Sequence, residues 1–117
     1  MASFNFQVHS DSIQPLATKS GDGTGATARG SSSSRILEIW IRVTAIDGGA
    51  TLTPIVIGTL DGTNYADLKT IATPITATGV YTMILNRAES AFGKSMNVRW
   101  TLAGGNATFE ILVGKVE

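Results

Sequence analysis

"RILEIWIRVTA" (residues 35–45) places Leu37, Ile39, Ile41 and Val43 on one side of an extended chain, and Glu38, Trp40, Arg42 and Thr44 on the other. Side chains that trade places at every residue describe a half-buried β-strand, because successive strand side chains point to opposite faces. The same period returns in "MNVRWTLAG" (96–104), where Val98, Trp100 and Leu102 alternate with Asn97, Arg99 and Thr101. It returns again in "ATFEILVGKV" (107–116), through Phe109, Ile111 and Val113. "TLTPIVIGTL" (51–60) and "VYTMILN" (80–86) are apolar on both faces, which predicts strands covered on each side. Pro54 has no N–H for a ladder, so it is expected at an edge, a strand start or a bulge.

Turn residues separate these runs. "DGG" (47–49), "DG" (61–62), "TG" (78–79) and "GGN" (104–106) fall at intervals suited to hairpins. Within "DGTNYADL" (61–68), Asp61-Gly62 is expected to make the turn, Tyr65 to re-enter the sheet and Leu68 to face the other way. The eight or so strands are too many for one small open sheet, so the fold class expected is an all-β antiparallel sandwich.

The first third reads differently. "FNFQV" (4–8) alternates, with Phe4, Phe6 and Val8 on one face, and "SIQPLAT" (12–18) is a candidate partner for it. "KSGDGTGATARGSSSSR" (19–35) is rich in Gly and Ser, with almost nothing apolar to offset the entropy of ordering it. It is expected to be a long surface loop or an arm that docks on a neighbour. The division drawn is 1–34 for the N-terminal strand or strands and Gly/Ser-rich arm, and 35–117 for the sandwich core, within one domain overall.

Composition narrows the chemistry. The 117 residues suit a single domain that buries roughly two-thirds of its extended-chain surface. There is no cysteine, which removes disulfides, thiolate metal sites and cysteine nucleophiles and fits a reducing compartment. Nine basic and nine acidic residues cancel, leaving no broad attraction for nucleic acid or anionic membranes. The start has no basic segment leading into an apolar one, so no signal peptide is expected, and no apolar run approaches the ~20 residues of a membrane helix.

Catalytic machinery is hard to assemble from what remains. The single histidine, His9, cannot supply a multi-histidine metal site within one chain and is not expected to be catalytic. Asp22, Asp47 and Asp61 each precede a glycine and are expected to cap three separate turns. "GDGTG" (21–25) lacks the lysine of a phosphate loop and the spaced oxygen ligands of a calcium loop, and "NAT" (106–108) is expected to be a turn. Glu38 and Glu110 fall on solvent faces of strands, not across a cleft. No enzyme, cofactor or metal is expected.

The order of weak motifs over about residues 33–115 resembles small structural proteins of tailed phages. An apolar strand pair is followed by an Asp-Gly turn with an aromatic three residues after the glycine (Gly62, Tyr65), then "ITATG" (75–79), "VRW" (98–100) and "ATFEILV" (107–113). The resemblance implies a jelly-roll-like sandwich in a virion, foremost a capsid decoration (cement) protein on the outer capsid surface, assembled in the host cytoplasm. The partners implied are the major capsid protein and further copies of the chain in a homotrimer or other cyclic oligomer, with no nucleic acid and no membrane. The contact residues it suggests are Phe4, Phe6, Arg29 and Arg35 in the arm, Trp40, the Asp61–Asn64–Tyr65 turn and Phe92. Alternation alone would make Phe4 and Phe6 core residues, and leaves Trp40 either exposed or in a subunit contact.

A tail or neck position is an alternative. "TLDGTNY" and "NVRW" are also similar to turns of discoidin-type carbohydrate-binding modules, although Thr59 and Tyr65 stand where that family carries Ser and Trp. That resemblance implies a sugar-binding sandwich.

Overall fold

The computed structural model describes residues 8–26, 28–29, 36–86 and 95–116. Its strands are β1 (Val8–Lys19), β2 (Gly23–Thr24), β3 (Ala28–Arg29), β4 (Ile36–Ile46), β5 (Thr51–Thr59), β6 (Tyr65–Thr70), β7 (Gly79–Asn86), β8 (Ser95–Ala103) and β9 (Ala107–Val116). β2 and β3 lie one after the other on β8 and act as one interrupted strand, which makes eight strand positions.

Their pairing is nested. β5 pairs with β6, β4 with β7, β2 and β3 with β8, and β1 with β9, all antiparallel. This is one long hairpin of four strand pairs, rolled up until β9 meets β4 and β8 meets β5. The result is two sheets, β1-β9-β4-β7 and β2/β3-β8-β5-β6, in the order of an eight-strand jelly roll.

Burial follows the alternation read from the sequence. Leu37, Ile39, Ile41 and Val43 from one sheet meet Met96, Val98, Trp100 and Leu102 from the other, with Phe109, Ile111 and Val113 beside them. The Trp100 and Phe109 rings cross the interlayer space edge to face, with centroids 5.2 Å apart.

Several expectations change. Residues 4–7 lie outside the described residues, and Val8 does not stand opposite residues 12–18. Residues 12–18 instead continue one strand whose partner is the C-terminal β9, from Val8 opposite Val116 to Lys19 opposite Ala107. Pro15 sits in a register irregularity of this edge strand, where the ladder loses no donor. Pro54 lies inside β5, not at its end. Its N–H side falls between the β5–β6 ladder and the isolated Leu52–Ile75 bridge, so no partner needs the missing donor.

The turns also differ in role. Among the described residues only the 59–65 connection is a hairpin within one sheet; the turns after β4, β6 and β8 each carry the chain across to the other sheet. Two of these crossings brace one another, since Asp47 N–H donates to Asn106 O and Asn106 N–H donates to Asp47 Oδ2. Asp22 does not cap a turn of its own but accepts from Leu102 N–H across the sheet edge. Of the three Asp-Gly pairs, only Asp61-Gly62 has its glycine in the left-handed region, at φ +82°.

The described part of the Gly/Ser-rich stretch is a loop in outline but is held down along β8. Gly25 N–H donates to Val98 O, Ala26 N–H to Ile13 O, and the Trp100 indole N–H to Gly21 O. Backbone bonds anchor it where side-chain burial could not, and they require close approach. A Cβ on Gly25 would stand 2.4 Å from Ile13 Cγ2 and 2.5 Å from Ile13 O.

Gly25→Ala should therefore destabilise the fold by roughly 1–3 kcal/mol. Gly21→Ala, with nothing within 4 Å of a new Cβ, should change stability little. Denaturant titration of the two variants checks this, and equal stability would mean that Gly25 is not packed against Ile13 of β1.

Candidate functional site: an open sheet face and a hairpin tip

The two outer faces of the sandwich are finished differently. On the five-stranded sheet, Arg99 of β8 and Asp67 of β6 form an ion pair of 2.9 Å although β5 runs between their strands. The bridge therefore arches over β5, where Ile55 stands opposite Arg99 and Ile57 opposite Asp67. Both isoleucines are buried, which matches the expectation of a strand covered on each side.

Among the described residues the four-stranded sheet has no such roof. Trp40 is 47% exposed at the centre of its outer face, flanked by Val80 at 53% and Ile84 at 51% on β7. The expectation that "VYTMILN" is covered on both sides thus fails for one face, because β7 is an edge strand and Tyr81, Met83 and Leu85 are its residues that face the core. The polar groups of this face bond to one another, but only Arg42 and Glu110 form an ion pair there among the described residues. The Arg42 Nε donates to Glu110 Oε1 at 2.7 Å, and the Trp40 indole N–H donates to Glu38. The edge itself is blunted by Lys69, which reaches from β6 to donate to Ile84 O at 2.7 Å.

The second exposed feature is the tip of the β5–β6 hairpin. Asp61 Oδ1 accepts from the Thr59 hydroxyl and from the N–H groups of Thr63 and Asn64, while Oδ2 accepts from the Asn64 amide. Gly62 N–H donates in turn to Thr59 Oγ1. These donors hold the Asp61 carboxyl well below the usual carboxylate range, the Asn64 N–H contributing most. The carboxylate is thus spent on its own turn. Beside it, Leu60 is 80% exposed and lines an open hollow of about 310 Å³ with Gly58, Asn64, Ala66 and Leu68.

Asp61, Asn64 and Tyr65 therefore come together in one turn, and Trp40 stands on the opposite layer. Arg29 lies in β3 opposite Ser95. Phe4, Phe6, Arg35 and Phe92 fall outside the described residues. Sequence reading missed Val80, Ile84 and Leu60. The signal for Leu60 was present, as an apolar side chain directly before an Asp-Gly turn; that for Val80 and Ile84 needed the knowledge that β7 is an edge. Among the described residues no group of three or more His, Asp or Glu side chains could hold a metal ion.

No family model matches the chain, and no curated protein matches it. Solved structures do. The VP2 subviral particle of infectious bursal disease virus matches over 93% of this chain and 32% of its own, at 13% identity and a TM-score of 0.59. The Gx strain of the same virus matches over 92% and 31%, at 13% identity and a TM-score of 0.54. A mitogen from Yersinia pseudotuberculosis matches over 94% and 84%, at 13% identity and a TM-score of 0.47. The chain spans about a third of the viral chains that it matches. At this identity the shared property is the fold: a jelly-roll β-sandwich of the kind found in viral capsid proteins.

Because Asp61 has a lowered pKa in the folded chain, its contribution is complete above the unfolded carboxylate value and is lost as acid protonates it. Asp61→Asn should melt below the parent at pH 7, and the gap should narrow below about pH 4. Melting curves across pH test this; a gap that persists into strong acid would remove the carboxylate charge from the account.

Proposed function

We propose that this chain is a non-enzymatic structural protein of a phage virion, a capsid decoration (cement) protein that binds the outer surface of the head and stabilises it. The observation that carries the reading is the likeness of nearly the whole chain to a viral capsid fold. The phage setting and the decorating role rest on the motif order described above. The principal acid at a loop tip, Asp61, is occupied in holding its own turn.

The major capsid protein is the partner in this reading, and the hairpin tip is the grip. Hydrogen bonds within the turn already hold the tip's shape before binding, so little ordering entropy opposes its docking. Leu60 supplies an apolar anchor and Asn64 and Tyr65 a polar and aromatic rim. A shell is held by many weak contacts repeated by symmetry, and a clip at each repeat adds buried area at every one.

Purified protein mixed with undecorated heads should sediment with them and raise the temperature at which they open. Leu60→Asp, at a position already open to water, should weaken binding by about tenfold or more while leaving the melting temperature of the free protein unchanged. Absence from the pelleted heads, together with retention on a glycan array that Asn64→Ala abolishes, would replace this reading with a sugar-binding one.

A further inference from the structure

We infer that the open face of the four-stranded sheet is built to pack on the same face of a second copy, about a two-fold axis that passes over Trp40. The ladder registers arrange this face in three rows across β7, β4 and β9. The middle row is Thr82, Trp40, Leu112. The row on one side is Ile84, Glu38, Gly114, and the row on the other is Val80, Arg42, Glu110.

A two-fold axis lying in the interface, perpendicular to the strands, reverses strand direction and keeps each strand over its own equivalent. It therefore lays the middle row on itself and exchanges the two outer rows. Glu38 of each copy meets Arg42 of the other, so opposite charges meet twice. Ile84 meets Val80, so apolar meets apolar twice. Glu110 meets Gly114, the one position in the three rows with no side chain, which leaves room for the Arg42–Glu110 pair. Each row is complementary to the row the axis gives it, which is what an isologous contact requires.

Size and alternatives agree. Four strands spaced ~4.8 Å apart, over eight residues rising ~3.3 Å each, present about 500 Å² per copy. Two copies together reach the ~1,000 Å² expected of a specific interface. Two other routes to self-association are obstructed among the described residues: the other sheet carries its Arg99–Asp67 roof, and the β7 edge is capped by Lys69. The inference concerns the protein alone and does not depend on its binding a capsid.

Sedimentation equilibrium of the full chain tests it. The native protein should be a dimer at micromolar concentration. Trp40→Lys, which sets two like charges on the axis, and Glu38→Arg, which faces Arg42 of the other copy, should each weaken dimerisation at least about tenfold. The reversal E38R/R42E/E110R inverts every charge but keeps the exchange of rows, and should restore the dimer. Since the chain has no cysteine, Thr82→Cys gives a unique on-axis thiol. A short bis-maleimide should link it into covalent dimers and should leave Thr70→Cys, on the other sheet, unlinked. Melting curves identify any variant that fails to fold, in which case the cross-linking pair decides. A native monomer, a dimer indifferent to Trp40→Lys and Glu38→Arg, or equal cross-linking at both thiols would overturn the inference. A monomer that protects this face only when bound to heads would assign the face to the shell instead.

Discussion

Among the ladders of the described residues the β5–β6 hairpin alone closes locally; every other one joins distant segments, out to Val8 against Val116. The nesting makes the outer pairs affordable. Loop-closure entropy grows with the length still free, so each inner pair shortens the loop that the next must close. The register of the inner pair is therefore inherited by the rest. A slip of one residue there would turn Leu52 and Val56 outward and bring Ile55 and Ile57 into the core. The Asp61 turn resists such a slip, because its five hydrogen bonds fit only one placement of Thr59, Gly62 and Asn64.

What was legible in the sequence was local. Alternation in 35–45, 96–104 and 107–116 named the inward residues of β4, β8 and β9, because the pleat permits no other assignment once one face is apolar. Strand order was not legible. A turn that crosses between sheets and one that closes a hairpin use the same Asp and Gly chemistry, so 47–49 and 104–106 looked like 61–62. The difference lies in what each turn touches: Asp47 and Asn106 hold each other, whereas Asp61 holds only its own loop. The edge position of 23–29 was hidden for a related reason. Its anchoring is by backbone bonds and glycine contacts, and neither leaves an apolar signature.

The candidate surfaces were half legible. Asp61, Asn64 and Tyr65 could be grouped because they are neighbours in the chain. The apolar face could not, since Trp40, Val80 and Leu112 share a surface only through ladder register. Nor does exposure follow from composition. Ile55 and Ile84 are equally apolar strand residues, yet one is roofed by an ion pair spanning two strands and the other stands open at an edge. A neutral chain adds no net repulsion to oppose contact between such faces.

The two surfaces have complementary uses if both inferences hold. β4 ends at the crossing turn where β5 begins, and β5 ends at the Asp61 tip, so the tip lies beyond the start of β4. A two-fold axis that reverses β4 sends the two tips to opposite ends of the pair. A single tip offers one exposed leucine and a small polar rim, which is little area for lasting attachment. Two tips on a rigid body change the arithmetic, because the second binds at an effective concentration set by geometry and not by the bulk. The gain exists only where two shell sites lie at the matching separation. Such a pair would hold an assembled lattice far better than free subunits, and that preference distinguishes a clip from an ordinary ligand.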